Sequence, residues 1–200
     1  MERTVKIFAL ILSLSILFLS STEAAEKKTL RLVQLPIIFQ SNQPDYETCA
    51  ILETKITRAV NVPLNGTLKL VEYVDSKKST VALNEVWKKL RSENPKAKLR
   101  DAMKPLAEKI NADIIVCPLL RQYSQTTVQR GLNLETYLVS NVSATLIVYD
   151  RRTDELVEKK DSRSFNNSYS KLGTASALAK ECFERLLAAT KLQQKIIAIK

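Results

Sequence analysis

Three strand-like segments in the second half of the chain constrain its fold most. Asp113 to Leu120 (DIIVCPLL) is an almost continuous apolar run. A strand apolar on both sides belongs in the buried centre of a sheet. The run continues in polar form through Arg121 to Arg130, and Gly131 and Asn133 supply a turn. Glu135 to Asp150 (ETYLVSNVSATLIVYD) is a long segment rich in β-branched residues. Arg151 to Asp154 make a short connection, and Glu155 to Phe165 returns as another strand. Three strands joined by tight loops predict an antiparallel meander.

The first half alternates strands with helices. Thr29 to Phe39 reads as a strand, with Pro36 marking an edge or an end because proline cannot donate to a ladder. Asp45 is an N-cap for a helix from about Tyr46 to Val60, whose apolar Cys49, Leu52, Ile56 and Val60 recur at helical spacing. Pro63, Asn65 and Gly66 form a turn, and Leu68 to Val74 is a second strand. Strand, helix, strand predicts a parallel pair with a right-handed crossover. Ser79 or Thr80 is expected to cap a helix to about Ser92, striped by Leu83, Val86, Trp87 and Leu90. A further helix covers about Ala97 to Asn111, where Pro105 either kinks it or delays its start. Thr174 or Ser176 caps a last helix to about Leu192. Lys195 to Lys200 (KIIAIK) is read as a short strand or a frayed tail. The expected order is β-α-β-α-α-β-β-β-α. This is an α/β (α+β) chain with a single mixed sheet and helices packed on it. One domain over 25–200 is expected, with its core at about 29–190.

The N-terminus reads as an address. Arg3 and Lys6 precede an uncharged run from Ile7 to Leu19, followed by Ser20 to Ala25. A basic start, a short apolar run and small residues make a secretory signal peptide, here residues 1–24 with cleavage after Ala24. The run is shorter than the roughly 20 apolar residues of a spanning helix. No later run approaches that length, so no transmembrane segment is expected in the mature chain. Export to the periplasm or the medium follows.

Composition removes several chemistries. The chain has no histidine, so Ser-His-Asp and Cys-His arrangements cannot form within it. Ser76 with Lys78 and Ser168 with Lys171 are neighbours in sequence only. Gly66, Gly131 and Gly173 stand singly, with no phosphate-cradling loop. Cys49, Cys117 and Cys182 lack metal-ligand spacing, so no metal and no cofactor are expected. Cys117, in the most apolar strand, reads as an inert core thiol. Cys49 and Cys182 are the pair best placed for a bridge, although a domain this size does not need one. The formal charge is +10, from 31 Lys and Arg against 21 Asp and Glu. Export and only 6% aromatic residues argue against nucleic acid. An envelope protein or an anionic cell-wall or lipid component is the expected partner.

Three local patterns sharpen the reading. They are the strand-helix-strand opening, a helix running into NADIIVCPLL (Asn111 to Leu120), and the hairpin ATLIVYDRRTDELV (Ala144 to Val157). Together they resemble the bacterial envelope proteins that share the domain of curli-secretion lipoproteins (CsgG), the TolB N-terminal domain and penicillin-binding-protein activators of the LpoB type. The resemblance implies an assembly or regulatory partner rather than an enzyme, and it supplies no catalytic residues. The chain departs from the pattern at Asp154, where the hairpin turn often has Gly, and in lacking a lipid-anchor Cys after the apolar run.

The expected function is therefore a non-catalytic binding module. Its candidate contact surface is the polar hairpin carrying Arg121, Tyr123, Arg130 and Tyr137, since Arg and Tyr are enriched at interfaces. Arg151 and Arg152, at the opposite connection, are the second choice. Two rivals differ in class. A hydrolase of cell-wall or sugar polymers would use paired carboxylates drawn from Asp45, Glu53, Asp75 and Glu85. A small-molecule or lipid carrier would enclose an apolar cavity.

Overall fold

The computed structural model describes residues 29–61, 71–131 and 135–197. Residues 1–24, read as a signal peptide, lie outside them, as do the Pro63–Gly66 turn, Leu68 to Leu70 of the second strand, and Asn133. In chain order the elements are β1 (Leu30–Gln34), β2 (Ile38–Phe39), α1 (Tyr46–Val60), β3 (Val71–Tyr73) and α2 (Ser76–Glu93). A 3-10 turn (Leu99–Ala102) then leads into α3 (Met103–Ile110). The meander follows as β4 (Ile114–Arg130), β5 (Glu135–Asp150) and β6 (Glu155–Ser168). A second 3-10 turn (Lys171–Gly173), α4 (Ala175–Thr190) and α5 (Leu192–Ile197) complete the fold.

These strands form a single mixed sheet in the order β3-β1-β4-β5-β6, with β2 also pairing β4. β1 lies parallel to both β3 and β4, and β4, β5 and β6 run antiparallel. Helices cover both faces. On one face, Leu52 and Ile56 of α1, Phe183 of α4 and Ile196 of α5 pack onto Ile114, Val116, Leu146 and Val148. On the other, Leu83 of α2 with Met103 and Leu106 of α3 pack onto Ile115, Cys117 and Ile147. β4 is buried on both faces from Ile114 to Leu120, as its apolar run requires.

Several boundaries differ from the sequence reading for local reasons. α2 starts earlier, because Asp75 caps it by accepting the Lys77 N–H at 2.6 Å. Ser79 and Thr80 instead turn their hydroxyls back to the carbonyls of Asp75 and Ser76, a bond such side chains make inside helices. Of the two outcomes expected for Pro105, the structure has the delayed helix start. Pro105 sits in the first turn of α3, where its missing N–H would have had no partner, and the preceding 3-10 turn absorbs the delayed start. β1 ends before Pro36 and the chain resumes as β2, displaced along β4. Lys195 to Ile197, read as strand or tail, continue as the helix α5. Lys191, at φ 50°, breaks it from α4, and Leu192 and Ile196 hold it on the core.

Candidate binding surface

The junction before the central strand shows how the sequence sets its geometry. Asn111 adopts the left-handed conformation (φ 52°) that ends α3, a role asparagine tolerates. Ala112 is fully buried and its N–H returns to the Ala107 carbonyl. Asp113 then enters the sheet with its side chain buried. One carboxylate oxygen accepts the Arg31 backbone N–H at 2.9 Å, and the other accepts an Arg151 guanidinium N–H at 3.0 Å. Arg151 also donates to the Asn111 side-chain oxygen at 2.8 Å. Arg152 makes a forked pair with Asp150, at 2.9 and 2.7 Å, and donates to the Lys195 carbonyl. Both arginines of this connection thus face buried carboxylates and tie β1, β4, β5 and α5 together.

Asp154, in the same connection, occupies a left-handed position (φ 53°) that favours glycine. Its carboxylate accepts the Tyr149 hydroxyl at 2.7 Å and the Lys104 ammonium at 2.9 and 3.0 Å. The Lys104 hydrogen bond, then that of Tyr149, holds the Asp154 carboxyl below its ordinary range. Burial, reinforced by the bond to Asp154, pushes the Tyr149 phenol up to about 12.

Midway along β4, the structure separates Arg121 from Tyr123. Their spacing of two would put them on one face of a regular strand. The β4–β5 register instead shifts between Leu120 and Gln122, so Arg121 is the extra residue of a β-bulge. Tyr123 packs on the α1–α4 face, beside Asp45 and Thr48, and burial raises its phenol. Arg121 stands on the opposite face and lines a cleft with Trp87, Lys98 and Arg100. Tyr137 shares that face by the alternation of β5, but lies six residues from Ser143, which pairs beside the bulge, or about 20 Å along the strand. The Arg130 side chain lies outside what the structure describes. Arg121 and Tyr123 therefore stand on opposite faces of the sheet, and Tyr137 lies far along the strand from Arg121.

The cleft beside Arg121 has a volume of about 370 Å³. Its floor is the face of β4, β5 and β6 that carries Leu119, Thr145, Ile147, Glu158 and Lys160. The register places Leu119, Thr145 and Lys160 in one cross-strand row, with Cys117, Ile147 and Glu158 in the next. Its wall is Trp87 of α2 and the 3-10 turn at Leu99 and Arg100. Sequence reasoning placed Trp87 in an apolar stripe and missed the cleft, because the floor residues come from three strands brought together only by register.

The carboxylates considered for hydrolysis stand apart. Asp45 caps α1 through the Thr48 N–H at 2.7 Å, and that bond lowers its pKa. Asp75 caps α2, Glu85 pairs with Lys109, and Glu53 is exposed on α1. Among the described residues no group of three or more Cys, Asp or Glu side chains is arranged to hold a metal ion. All three cysteines are free thiols, and burial raises Cys117 and Cys182 to about 12. No described helix is long and apolar enough to cross a membrane.

No known family model matches the chain, and no curated protein matches it. Solved structures similar to it include the hypothetical protein CT253 from Chlamydia trachomatis, at 12% identity and a TM-score of 0.46, covering 82% of this chain and 96% of that one. The PelC dodecamer from Paraburkholderia phytofirmans is similar at 10% identity and a TM-score of 0.39, covering 80% and 88%. The LpoB C-terminal domain from Salmonella enterica is similar at 12% identity and a TM-score of 0.33, covering 72% and 90%.

Proposed function

We propose that the chain is an exported, non-catalytic binding module of the cell envelope. One observation carries this reading: the fold engages its buried carboxylates with arginines and leaves Lys98 and Arg121 exposed. Asp113 and Asp150 are each neutralised by an arginine, and Asp45 and Asp75 cap helices. Carboxylate-dependent hydrolysis needs two carboxyls facing each other across a cleft, roughly 5–10 Å apart. Of the acidic residues considered for that role, Asp45 and Asp75 are engaged as helix caps, Glu85 pairs with Lys109, and Glu53 is exposed on α1. Lys98 and Arg121 stand exposed, and neither has an ion-pair partner among the described residues. A basic exposed surface suits an acidic envelope protein or an anionic cell-wall or lipid component. Export rests on the basic start, the apolar run and the small residues between Met1 and Ala25.

The test is fractionation of the native host with N-terminal sequencing, followed by cross-linking in intact envelopes. The expected result is a mature chain beginning near Ala25 and a discrete cross-linked adduct that Arg121→Glu weakens. Intact residues 1–24 on cytosolic protein would overturn export. Release of sugars or peptides from purified cell wall by the isolated protein would overturn the non-catalytic reading.

A further inference from the structure

We propose that the cleft between α2, the first 3-10 turn and the β4–β6 floor binds a small organic anion that joins two acidic groups to an apolar body. The inference rests on the binding-module reading and names its ligand class.

The apolar part of the ligand is matched by Leu119 and Ile147 in the floor and by Leu99 and Trp87 in the wall. The acidic part is matched by the rim, where four cations stand around one carboxylate. Glu158 lies 3.0 Å from the Lys160 ammonium and 3.5 Å from the Arg100 guanidinium, and its own side chain is mostly buried. It orients both cations while cancelling only one of the two charges. Arg100 is also 3.5 Å from Asp101, outside the floor. Lys98 and Arg121 complete the rim without ion-pair partners among the described residues. They are the cations free to meet two acidic groups.

A second observation comes from below the rim. Thr145, in the cleft floor, is only 2% exposed, and its Oγ1 has no hydrogen-bond partner among the described residues. Buried hydroxyls are almost always partnered, because burying one without a partner is costly. Valine has nearly the same shape and, beside Leu119 and Ile147, would leave no hydroxyl to partner. A hydroxyl at this position gains its partner when an oxygen of the ligand settles on the floor. The cleft volume falls within the range of small-ligand sites.

The site carries its own reporter, because Trp87 is the single tryptophan of the chain. Protein purified from its native host would be titrated with isophthalate, which has two carboxylates on one ring, and with benzoate, which has one. Trp87 emission and calorimetry are the readouts. An N-acetyl-Asp-Phe-Glu tripeptide amidated at its C-terminus, with two carboxylates and one ring, carries the same chemistry in peptide form. Saturable binding of isophthalate or the tripeptide is expected, at least about tenfold tighter than benzoate and weaker in high salt. The stronger of the two assigns the source to a free molecule or to a partner's peptide segment. A Lys98→Glu, Arg121→Glu double variant should lose about tenfold or more in affinity while keeping its unfolding midpoint, since both side chains are exposed. Thr145→Val should lose about threefold or more in affinity with no fall in that midpoint. Absence of saturable binding by both diacids up to about 10 mM would overturn the proposal, as would unchanged affinity in the double variant. A Trp87 response to phosphatidylglycerol vesicles but to neither diacid would reassign the rim to a membrane surface. Each of these failures leaves the fractionation and cross-linking results of the binding-module reading standing.

Discussion

Arg151, on the connection after β5, reaches the buried Asp113 carboxylate at the start of β4, 38 residues earlier, with an N–O separation of 3.0 Å. The other carboxylate oxygen holds the Arg31 backbone N–H of β1. One side chain therefore joins the parallel half of the sheet to the antiparallel meander. Its charge is compensated by an arginine that is itself part-exposed, with 30% of its side chain reaching solvent.

Asp113→Ala should destabilise the protein by about 3 kcal/mol, since it strands a guanidinium and a backbone N–H. Asp113→Asn, which keeps an acceptor for Arg31, should cost less. Urea unfolding of Asp113→Ala, Arg151→Ala and the double variant measures the pair. A coupling of at least about 1 kcal/mol is expected, and strictly additive losses would contradict the link.

Asp154 holds a left-handed turn position with a side chain that also accepts from Tyr149 and Lys104. Asp154→Ala loses both bonds and keeps a Cβ in the disfavoured conformation. Asp154→Gly loses the same bonds but frees the backbone. Thermal unfolding should rank wild type above Asp154→Gly and Asp154→Gly above Asp154→Ala. An alanine variant as stable as the glycine variant would remove the backbone argument.

Gly173 faces the Phe165 ring so closely that an added Cβ would lie 2.3 Å from it. Phe165, on β6, is partly buried against the same core as Ala175 and Leu178 of α4. Gly173→Ala should cost about 1–3 kcal/mol by overpacking. Phe165→Leu in the same background should restore part of the loss. Denaturant midpoints of the three variants check this, and no recovery would place the strain elsewhere.

Stability should fall at alkaline pH. Cys117, Cys182 and Tyr149 are all raised to about 12, chiefly by burial. Ordinary thiols and phenols ionise near 9 and 10. Between those values and 12 the folded chain holds protons that the unfolded chain releases. The contribution is therefore intact below about pH 9 and is lost as pH rises towards 12. Each group adds a slope of about 1.4 kcal/mol per pH unit. Unfolding midpoints should hold from pH 8 to about 9 and decline from there to pH 11, and Cys117→Ala should flatten the decline. A midpoint independent of pH in this range would contradict the burial of these groups.

The element order and the faces of the helices were legible in the sequence because they depend on local periodicity. The apolar run of Ile114 to Leu120 could only be central, and Leu52, Ile56 and Val60 could only face a core. Asn111, Ala112 and Asp113 were visible as a junction, although the partners of Asp113 were not. The boundaries that moved did so where two local choices competed, as when Asp75 out-competed Ser79 and Thr80 as a cap. What only the tertiary structure decided was which side chains share a surface. A bulge at Arg121 leaves no mark in composition, yet one extra residue sends Tyr123 to the other face of the sheet. The pairs Asp113–Arg151 and Lys104–Asp154 and the Leu119–Thr145–Lys160 row likewise join distant segments. Periodicity tells each segment which way to face its own core. Only the register between segments tells it which neighbours it meets there.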